Sequence, residues 1–556
     1  MAILPCAVPR SRSVLLGSAV LLLLGLGPAA GRAQSMQRVN VSSSGAQADF
    51  EALPPACSRD GRFTAFSSAA SGLVAGDTNG VADVFVHDRV TGETSRVSVG
   101  AEGAESDGVS GFPAISADGR YVVFASGATN LVPADDNGQH DVFLRDRLLG
   151  TTELVSASWD GSTNDGESRL PDVSDDGRFV VFESFAQNLA PGDGDHKLDI
   201  FVRDRLLGLT SLESVGTDGT KADGDCFECT ISADGRFLAF SSCATTLVAA
   251  ASLGCSFLGD NIFLRDLELH TTTLVNVGPN GQPSYFSQSP RISADGRHVV
   301  FTSAAALDPL LPVASPLGNI FVRDLEHQVT QIANVDSSGA WLGPYSQASV
   351  SADGRFVAFV LLLGHEPVWL RDTLLGTTQP VSVKLDGSAS FASAFLGRRA
   401  ISDDGRFVAF SSPDPLLVPG DTNGARDAFL YDTRPFFTDL GNALAGSSGT
   451  PSLTAAGKLL AGELVTFSLA SAKPLAPSAL VIGITIANAP FKGGTLVPQP
   501  LLLLPFTTTP LGTSELAAPW PAGVPADTQA FLQWWILDPA GPAGYAASSA
   551  LQLLSP

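Results

Sequence analysis

The 556-residue chain is poor in charge and in several residue types that carry chemistry. Only 16% of its residues are Asp, Glu, Lys or Arg, and it has two Met and seven His. Hydrophobic residues make up 44% of the chain, which supports a sizeable core and argues against intrinsic disorder. The length predicts two or three domains.

Common signatures of catalysis are missing from the sequence. None of the His residues lies in H-E-x-x-H or a comparable metal-binding pattern. There is no G-x-S-x-G nucleophile elbow, and no Gly-rich phosphate loop joins a strand to a helix. Residues 34–435 also lack a sustained helical period. These absences favour a non-enzymatic, strand-rich protein.

Positive charge is scarce after the first 33 residues. The whole chain carries a net charge of −23, and residues 34–435 alone carry −24. A surface this acidic repels nucleic acid and anionic lipid and favours cations or basic partners. The alternative is that the charge serves solubility alone.

Residues 1–33 are typical of an export signal. Arg10 and Arg12 precede an apolar run over 14–26, and Gly31-Arg32-Ala33 offers a small-residue cleavage site. The run is short for a membrane span, although an uncleaved N-terminal anchor is the alternative. No later segment is typical of a membrane helix. We predict an exported protein that is periplasmic, on the cell surface or secreted.

A nine-residue string, S-x-D-G-R-x-x-x-F, occurs seven times, starting at residues 58, 116, 174, 232, 293, 351 and 402. A second apolar run ending in Asp follows each copy, as in DVFLRD, and a β-branched run comes next, as in TTELVSA. Such self-similarity predicts repeated units of four short strands, here named a to d. We expect Asp-Gly to form a two-residue hairpin turn between strands a and b.

The strands are apolar on both faces in places, which is typical of sheets packed face to face. A ring of four-stranded sheets is a β-propeller. The seventh unit has no fourth strand after it, but residues 36–51 align with 94–109. We therefore predict that residues 37–43 close the ring beside residues 428–432. The predicted fold is all-β: a seven-bladed propeller of four-stranded blades over 34–435, followed by a small β-sandwich over 436–556.

The pattern S-x-D-G-R-x-[VL]-A-F followed by [IV]-F-[VL]-R-D resembles the TolB-type β-propeller repeat over about residues 36–432. The resemblance implies a fold and not a function, because such propellers serve many tasks. TolB propellers have six blades and follow an N-terminal domain, so the partners of TolB are not implied here.

The C-terminal segment differs in composition, being rich in Leu, Ala, Pro and Gly. Runs such as LVTFSLA, LVIGITIA and AFLQWWILD predict its strands. The ending QWWILDPAGPAGYAASSALQLL resembles a C-terminal domain common in exported planctomycete-like proteins, for which the resemblance implies no activity.

Each Arg after the Asp-Gly turn is expected to reach the Asp that ends strand c of its own blade, because both lie at one end of the propeller. Arg120 with Asp146 and Arg178 with Asp204 are examples. A pair that recurs in every blade indicates a structural role rather than a catalytic one.

The connections between strands b and c share an acidic pattern in four blades. D-x-[DN]-x-x-x-D resembles a shortened calcium loop, and calcium prefers carboxylate, amide and carbonyl oxygens. The alternative is that these side chains cap turns by bonding their own backbone. The candidate calcium ligands are Asp77, Asn79, Asp83, Asp135, Asn137, Asp141, Asp193, Asp195, Asp199, Asp421, Asn423 and Asp427.

Four of the six cysteines fall in the fourth repeat. Counting outward from a two-residue turn at Asp234-Gly235 places Cys226 opposite Cys243, at a separation that suits a disulfide. The main alternative joins Cys243 to Cys255. Cys57 is predicted to be a small buried hydrophobe.

The sequence thus predicts an exported, non-enzymatic binding or cell-envelope interaction protein. Its partner would be a protein or glycan on the acidic loop face and not nucleic acid, and calcium is the one cofactor considered. The alternative is an extracellular enzyme, a polysaccharide lyase or hydrolase using the propeller channel. Acidic, basic and aromatic side chains converging at one channel mouth would favour that alternative.

Overall fold

The computed structural model describes residues 36–554 except 134, 136, 160–161, 163, 250–259, 279–280, 282, 285, 309–314, 316–317, 362–366, 387, 434–436, 457–458, 460–463, 522–523 and 525–527. The predicted export signal, residues 1–33, lies outside them. The chain forms two compact units, and the boundary between them along the sequence lies between residues 433 and 434. In the described part, no helix is long and apolar enough to cross a membrane.

The first unit is a propeller of seven four-stranded antiparallel sheets, in the order a-b-c-d. Strands a of successive blades contact one another and so lie innermost. From blade 1 to blade 7 they are Ala56–Cys57, Ser110–Ile115, Ser168–Val173, Cys226–Ile231, Ser287–Ile292, Tyr345–Val350 and Phe395–Ile401.

The remaining strands follow in the same blade order. Strands b are Phe63–Ser68, Tyr121–Ser126, Phe179–Ser184, Phe237–Ser242, His298–Ser303, Phe356–Leu361 and Phe407–Ser412. Strands c are Asp83–Asp88, Asp141–Asp146, Asp199–Asp204, Asn261–Asp266, Asn319–Asp324, Trp369–Asp372 and Asp427–Asp432. Strands d are Thr94–Arg96, Thr151–Leu154, Leu209–Leu212, Thr271–Leu274, Val329–Ile332, Thr377–Pro380 and, for blade 7, Met36–Arg38.

The N-terminal strand closes the ring, as predicted. Met36 lies opposite Tyr431 and Arg38 opposite Phe429, and the Val39 amide donates to the carbonyl of Ala428 at 2.8 Å. The paired segment is shorter than the predicted 37–43. Blade 7 therefore combines a strand from the N-terminal end of the propeller with three strands from its C-terminal end. Removing the N-terminal strand would expose the edge of strand c.

The repeated string builds a different turn from the one predicted. In blade 2, Ser116 and Tyr121 form the last backbone pair, and Gly119 alone in the turn has a positive φ, of 72°. The Asp118 carboxylate accepts from the Arg120 amide at 2.9 Å and from the Ser116 hydroxyl at 2.8 Å. The turn is therefore four residues long, and its Ser and Asp are repeated because their side chains bond the turn together.

The glycine of each turn also packs against the preceding blade. A Cβ on Gly119 would overlap the ring of Phe63, and one on Gly177 would overlap the ring of Tyr121. The repeated string therefore joins neighbouring blades as well as turning the chain. The same arrangement recurs around the ring at Gly61, Gly235, Gly296, Gly354 and Gly405.

The predicted disulfide between Cys226 and Cys243 is wrong, because Cys226 has a free thiol. A bulge between Phe227 and Thr230 shifts the register by one residue and places Cys226 opposite Ser242. Its Sγ lies 3.2 Å from the Ser242 hydroxyl, and burial raises its pKa. Cys255, the partner in the alternative disulfide, lies outside the described residues. Cys57 is buried, as predicted, and burial raises its pKa to about 12.

The second unit is a small β-sandwich. Its main sheet is built from Phe437–Asp439, Leu551–Leu554, Gln529–Leu537, Pro477–Gly483 and Leu502–Thr507, with Tyr545–Ala547 on the third of these. Ser452–Ala456, Leu464–Ala470 and Ser514–Pro519 form a second sheet, and Ile486–Phe491 pairs with Gly494–Pro498. The core surrounds Trp534, which is fully buried.

Short 3₁₀ turns complete the described elements, at Ala101–Gly103 and Pro542–Gly544. The a–b and c–d turns lie at one end of the propeller, called here the short-turn end. The b–c and d–a connections lie at the other, called the loop end.

Candidate functional site

The acidic b–c loops at the loop end are held by buried carboxylates. Asp83, the last residue of the pattern in blade 1, is 0% exposed and accepts from the hydroxyl of Ser98, just after strand d, at 2.5 Å. Its counterparts are equally buried and have equivalent donors: Ser156 to Asp141 at 2.7 Å, Ser214 to Asp199 at 2.7 Å and Asn40 to Asp427 at 2.6 Å.

The central Asn of the pattern performs two structural tasks. The Asn79 carbonyl oxygen accepts from the Val81 amide at 3.0 Å, and its side-chain NH₂ donates to Asp83 at 2.9 Å. Asn137 and Asn423 bond their own loops in the same way. This is the turn-capping role that the sequence left as the alternative to calcium.

A basic side chain, from the end of strand d in blades 1 and 7 and from the d–a connection after blade 3, contacts the carboxylates of three of these loops. In blade 1, Nη1 of Arg96 lies 3.3 Å from Asp77, 3.2 Å from Asp83 and 2.7 Å from Glu105. In blade 3, Lys221 contacts Asp193, lies 2.6 Å from Asp195 and lies 2.9 Å from Asp199. In blade 7, Arg38 lies 3.4 Å from Asp421 and 3.0 Å from Asp427.

The carboxylates around Arg96 have pKa values on opposite sides of their usual range. Burial and the neighbouring charge of Asp83 raise the pKa of Asp77 to about 6. The Thr78 amide and the Arg96 guanidinium lower the pKa of Glu105 to about 2. One guanidinium thus balances its carboxylates incompletely, since burial also raises the pKa of Asp83.

Blade 2 uses amides where the other three loops use a cation. Asn137 donates to Asp141 at 2.7 Å and Asn164 donates at 2.5 Å. Asp135 is also buried. The oxygens that calcium would need are therefore already engaged by donors of the chain itself, and calcium binding stays a prediction.

The central channel is crossed by ion pairs between blades that are not neighbours. Arg399 of blade 7 donates to Asp172 of blade 3 at 2.6 Å, and Asp172 is 1% exposed. Burial alone would raise the pKa of Asp172, but Arg399 and the Ile231 amide lower it. Arg398 spans the channel as well, donating to the carbonyls of Leu170 and Cys229 at 3.1 and 2.9 Å.

A second cross-link lies at the level of the a–b turns. Arg59 of blade 1 donates to Asp175 of blade 3 at 2.8 Å and to Asp403 of blade 7 at 2.9 Å. These are the residues at the second position of the repeated string in their blades, where four other blades have Ala. Sequence reasoning missed this cluster, although the break in the Ala pattern was its signal.

Acidic, basic and aromatic side chains do occupy equivalent positions of the inner strands, at Glu228, Arg398 and Phe112. The charged ones are engaged in bonds between blades: Glu228 accepts from the Ser289 amide at 2.6 Å, and Arg398 is bonded as described above. The channel therefore presents charges that hold the ring together, while Phe112 is 58% exposed.

The repeated ion pairs at the short-turn end form in six blades. Arg120 lies 2.6 Å from Asp146 and Arg178 lies 2.6 Å from Asp204. The others join Arg62 to Asp88, Arg236 to Asp266, Arg355 to Asp372 and Arg406 to Asp432. Blade 5 departs from the pattern: Arg297 pairs with Glu326, and Asp324 binds His327 at 2.7 Å.

Large apolar side chains are exposed at the loop end, beside the acidic loops. Six of the seven d–a connections carry one that is between 42% and 57% exposed: Phe50, Val109, Trp159, Phe286, Trp341 and Phe391. Sequence reasoning identified the loop end by its length and acidity and did not identify these residues.

No family model and no curated protein matches the chain. Solved structures that resemble it include a putative TolB from Agrobacterium tumefaciens, at a TM-score of 0.32 and 16% identity over 51% of this chain and 80% of that one. A Pyrococcus horikoshii acylaminoacyl peptidase has a TM-score of 0.41 and 11% identity over 76% and 57% of the two chains.

A Mycobacterium tuberculosis puromycin-hydrolyzing peptidase has a TM-score of 0.42 and 13% identity over 79% and 61% of the two chains. At TM-scores below 0.5, these similarities carry no functional argument.

Proposed function

We propose that this protein is an exported, non-enzymatic binding module that holds a protein or glycan partner on the loop end of its propeller. The observation that carries the proposal is the set of exposed apolar side chains in six d–a connections. Aromatic side chains supply large contact area to both glycans and proteins.

The charge of the same end supports a partner that is basic or rich in hydrogen-bond donors. The four acidic loops lie at the same end as the d–a connections, and each loop that contacts a cation has more carboxylates than cations. Complementary charge raises association rates and excludes acidic partners. Export rests on the sequence of residues 1–33.

The channel supports the enzymatic alternative less well. Arg399, Asp172 and Arg398 bond one another or the backbone across it, and Arg59 does so at the level of the turns. A channel enzyme would need such groups to face a substrate, and these face each other.

The proposal is tested by binding of the mature chain, residues 34–556, to the cell-envelope fraction of its own organism. In one variant, Trp159, Trp341 and Phe391 are changed to Ser. We expect this variant to lose at least about tenfold in affinity, as removal of three central apolar contacts does in other interfaces.

The matched control carries Leu148→Ser, Leu206→Ser and Leu207→Ser. These three side chains are between 63% and 74% exposed and lie in c–d turns at the opposite end. The control should bind like the parent. Equal retention by both variants, or loss only in the control, would overturn the assignment to the loop end.

A further inference from the structure

At the short-turn end, three of the grooves between neighbouring blades are filled by a guanidinium of the chain. Arg147 of blade 2 lies over the Phe63 ring of blade 1, 4.8 Å from its centroid, and donates to the carbonyl of Gly119 at 2.6 Å. Arg205 likewise lies over the Tyr121 ring and donates to the Gly177 carbonyl. Arg89 lies over the Phe407 ring and donates to the Gly61 carbonyl.

Two carboxylates belong to this arrangement. Arg147 interacts electrostatically with Asp88, which ends strand c of blade 1, and with Asp118 in the turn of blade 2. The groove at Arg147 therefore has four parts: a ring below the guanidinium, a glycine carbonyl at its edge and a carboxylate from each blade. Ring and carboxylates attract a cation together.

The groove between blades 5 and 6 has the surroundings but not the guanidinium. Thr373 occupies the position that Arg147 has in blade 2. The Thr373 amide donates to the Arg355 carbonyl at 2.9 Å, and the Arg147 amide donates to the Arg120 carbonyl at the same distance. The shorter side chain leaves a pocket of about 360 Å³. Pockets that hold small ligands have volumes from roughly 300 Å³ upward.

Each of the four parts has a counterpart in this pocket. The lining includes His298 in place of Phe63, Gly354 in place of Gly119, Asp324 in place of Asp88 and Asp353 in place of Asp118. A Cβ on Gly354 would overlap the His298 ring, as one on Gly119 would overlap Phe63. The framework of the groove is thus kept although its occupant is missing.

Asp324 differs from the other aspartates that end strand c. Arg297, the arginine of its own blade, pairs with Glu326 instead. Asp324 contacts His327 at 2.7 Å and lies 3.7 Å from Nε2 of His298. His327 has a side chain that is 67% exposed, so it can move aside for a stronger cationic partner.

We propose that the pocket between blades 5 and 6 binds a guanidinium group from another molecule, such as the arginine side chain of a partner peptide. The group stacks on His298, donates to the Gly354 carbonyl and forms a charge-assisted bond with Asp324. Two sources share this chemistry, an arginine within a peptide and free arginine. The site lies at the opposite end from the proposed partner surface and does not depend on it.

Calorimetric titration of the full mature protein tests the proposal with three probes: Nα-acetyl-arginine methylamide, free arginine and Nα-acetyl-lysine methylamide. We expect the arginine amide to bind at least tenfold more tightly than the lysine amide, because only the planar fork fits a ring and a carbonyl together. If free arginine binds and the arginine amide does not, the free amino acid is the source of the guanidinium.

Two variants test the location of the site. Thr373→Arg supplies the internal guanidinium found in three other grooves, so it should fold and lose the binding. His298→Phe restores the usual aromatic ring and should bind several-fold more tightly. Equal binding of the two amides, no saturable heat at millimolar probe, or unchanged binding by Thr373→Arg would each overturn the proposal.

Discussion

At the short-turn end the same contacts recur from blade to blade, whereas contacts at the loop end recur in only some blades and those across the channel are single. The repeated string forms the same bonded turn in every blade and six similar ion pairs. At the loop end, Arg96 and Arg38 contact their loops from equivalent positions at the end of strand d, whereas Lys221 does so from a d–a connection. The channel has single pairs such as Arg399 with Asp172.

The comparison teaches where to look for function in a repeat protein. A contact that recurs in every blade holds the fold, because every blade must make the same turn and meet the same neighbour. The unique contacts and the breaks in the pattern are the informative ones. They include the closing strand, the channel pairs and the unfilled groove at Thr373.

Removing the closing strand should have the largest effect. A mature chain that begins at residue 45 loses the buried side chains of Met36, Val39 and Val41. It also lacks Arg38 and Asn40, which bond the buried Asp427. We expect a loss of at least about 5 kcal/mol in the free energy of unfolding. Urea denaturation followed by tryptophan fluorescence measures it. An unchanged midpoint would show that the ring does not need this strand.

Breaking an ion pair that occurs once, across the channel, should have the next largest effect on stability. Asp172→Ala leaves Arg399 without its buried partner and removes the acceptor for the Thr230 hydroxyl. The expected loss is about 3–5 kcal/mol, typical of one broken buried ion pair. Arg120→Ala, which breaks a repeated pair whose arginine is partly exposed, is the control and should shift the same denaturation midpoint much less. If the two shifts are equal, unique contacts are not the stronger ones.

A repeated packing contact should cost somewhat less. Gly119→Ala combines a positive φ of 72° with overlap of the Phe63 ring, for an expected loss of about 2–4 kcal/mol. Gly80→Ala is the matched control, since its φ is 68° and it has no neighbour within 4 Å. It should lose only about 1–2 kcal/mol. If the two variants lose the same free energy of unfolding, the aromatic contact between blades adds nothing.

The smallest effect should appear as a pH dependence at the loop end. The folded-state pKa of Asp77 is raised to about 6, so its ionisation destabilises the fold as pH rises through that value. Asp77→Asn should therefore be more stable than the parent at pH 7 and equal to it near pH 4, where both side chains are neutral. Thermal melting across that pH range measures the difference.

Glu105→Gln is the control of opposite sign beside the same guanidinium. The folded-state pKa of Glu105 is lowered to about 2, so its charge stabilises the fold above its unfolded pKa, and that contribution is lost as pH falls towards 2. The variant should be less stable than the parent at pH 7 and approach it in acid. The same sign for both variants would contradict the charge balance described around Arg96.

Much of the propeller could be predicted because its signals are local and repeated. The spacing of S-x-D-G-R, the apolar runs and the alignment of 36–51 with 94–109 sufficed for the blades and for closure. The bulge at Glu228 could not be predicted, because an extra residue in one strand leaves no fixed sequence pattern. That single shift moved Cys226 away from the predicted disulfide.

The loop residues were located correctly, but their roles depended on distant partners. Arg96 follows Asp77 by nineteen positions and Lys221 follows Asp193 by twenty-eight, so neither pairing is visible in the loop pattern itself. The structure brings both cations to their loops. In three blades the calcium-like loops contact cations of the chain itself, and calcium binding stays a prediction.

The sequence by itself determined the all-β class, the repeated blades and the closing strand, because strand periodicity and the spacing and alignment of the repeats can be read along the chain. Only the tertiary structure decided that Arg399 meets Asp172 across the channel and that Thr373 leaves an open pocket beside His298. The first depends on blades 3 and 7 meeting across the closed ring, and the second on how blades 5 and 6 pack, so both rest on distances that no local pattern contains.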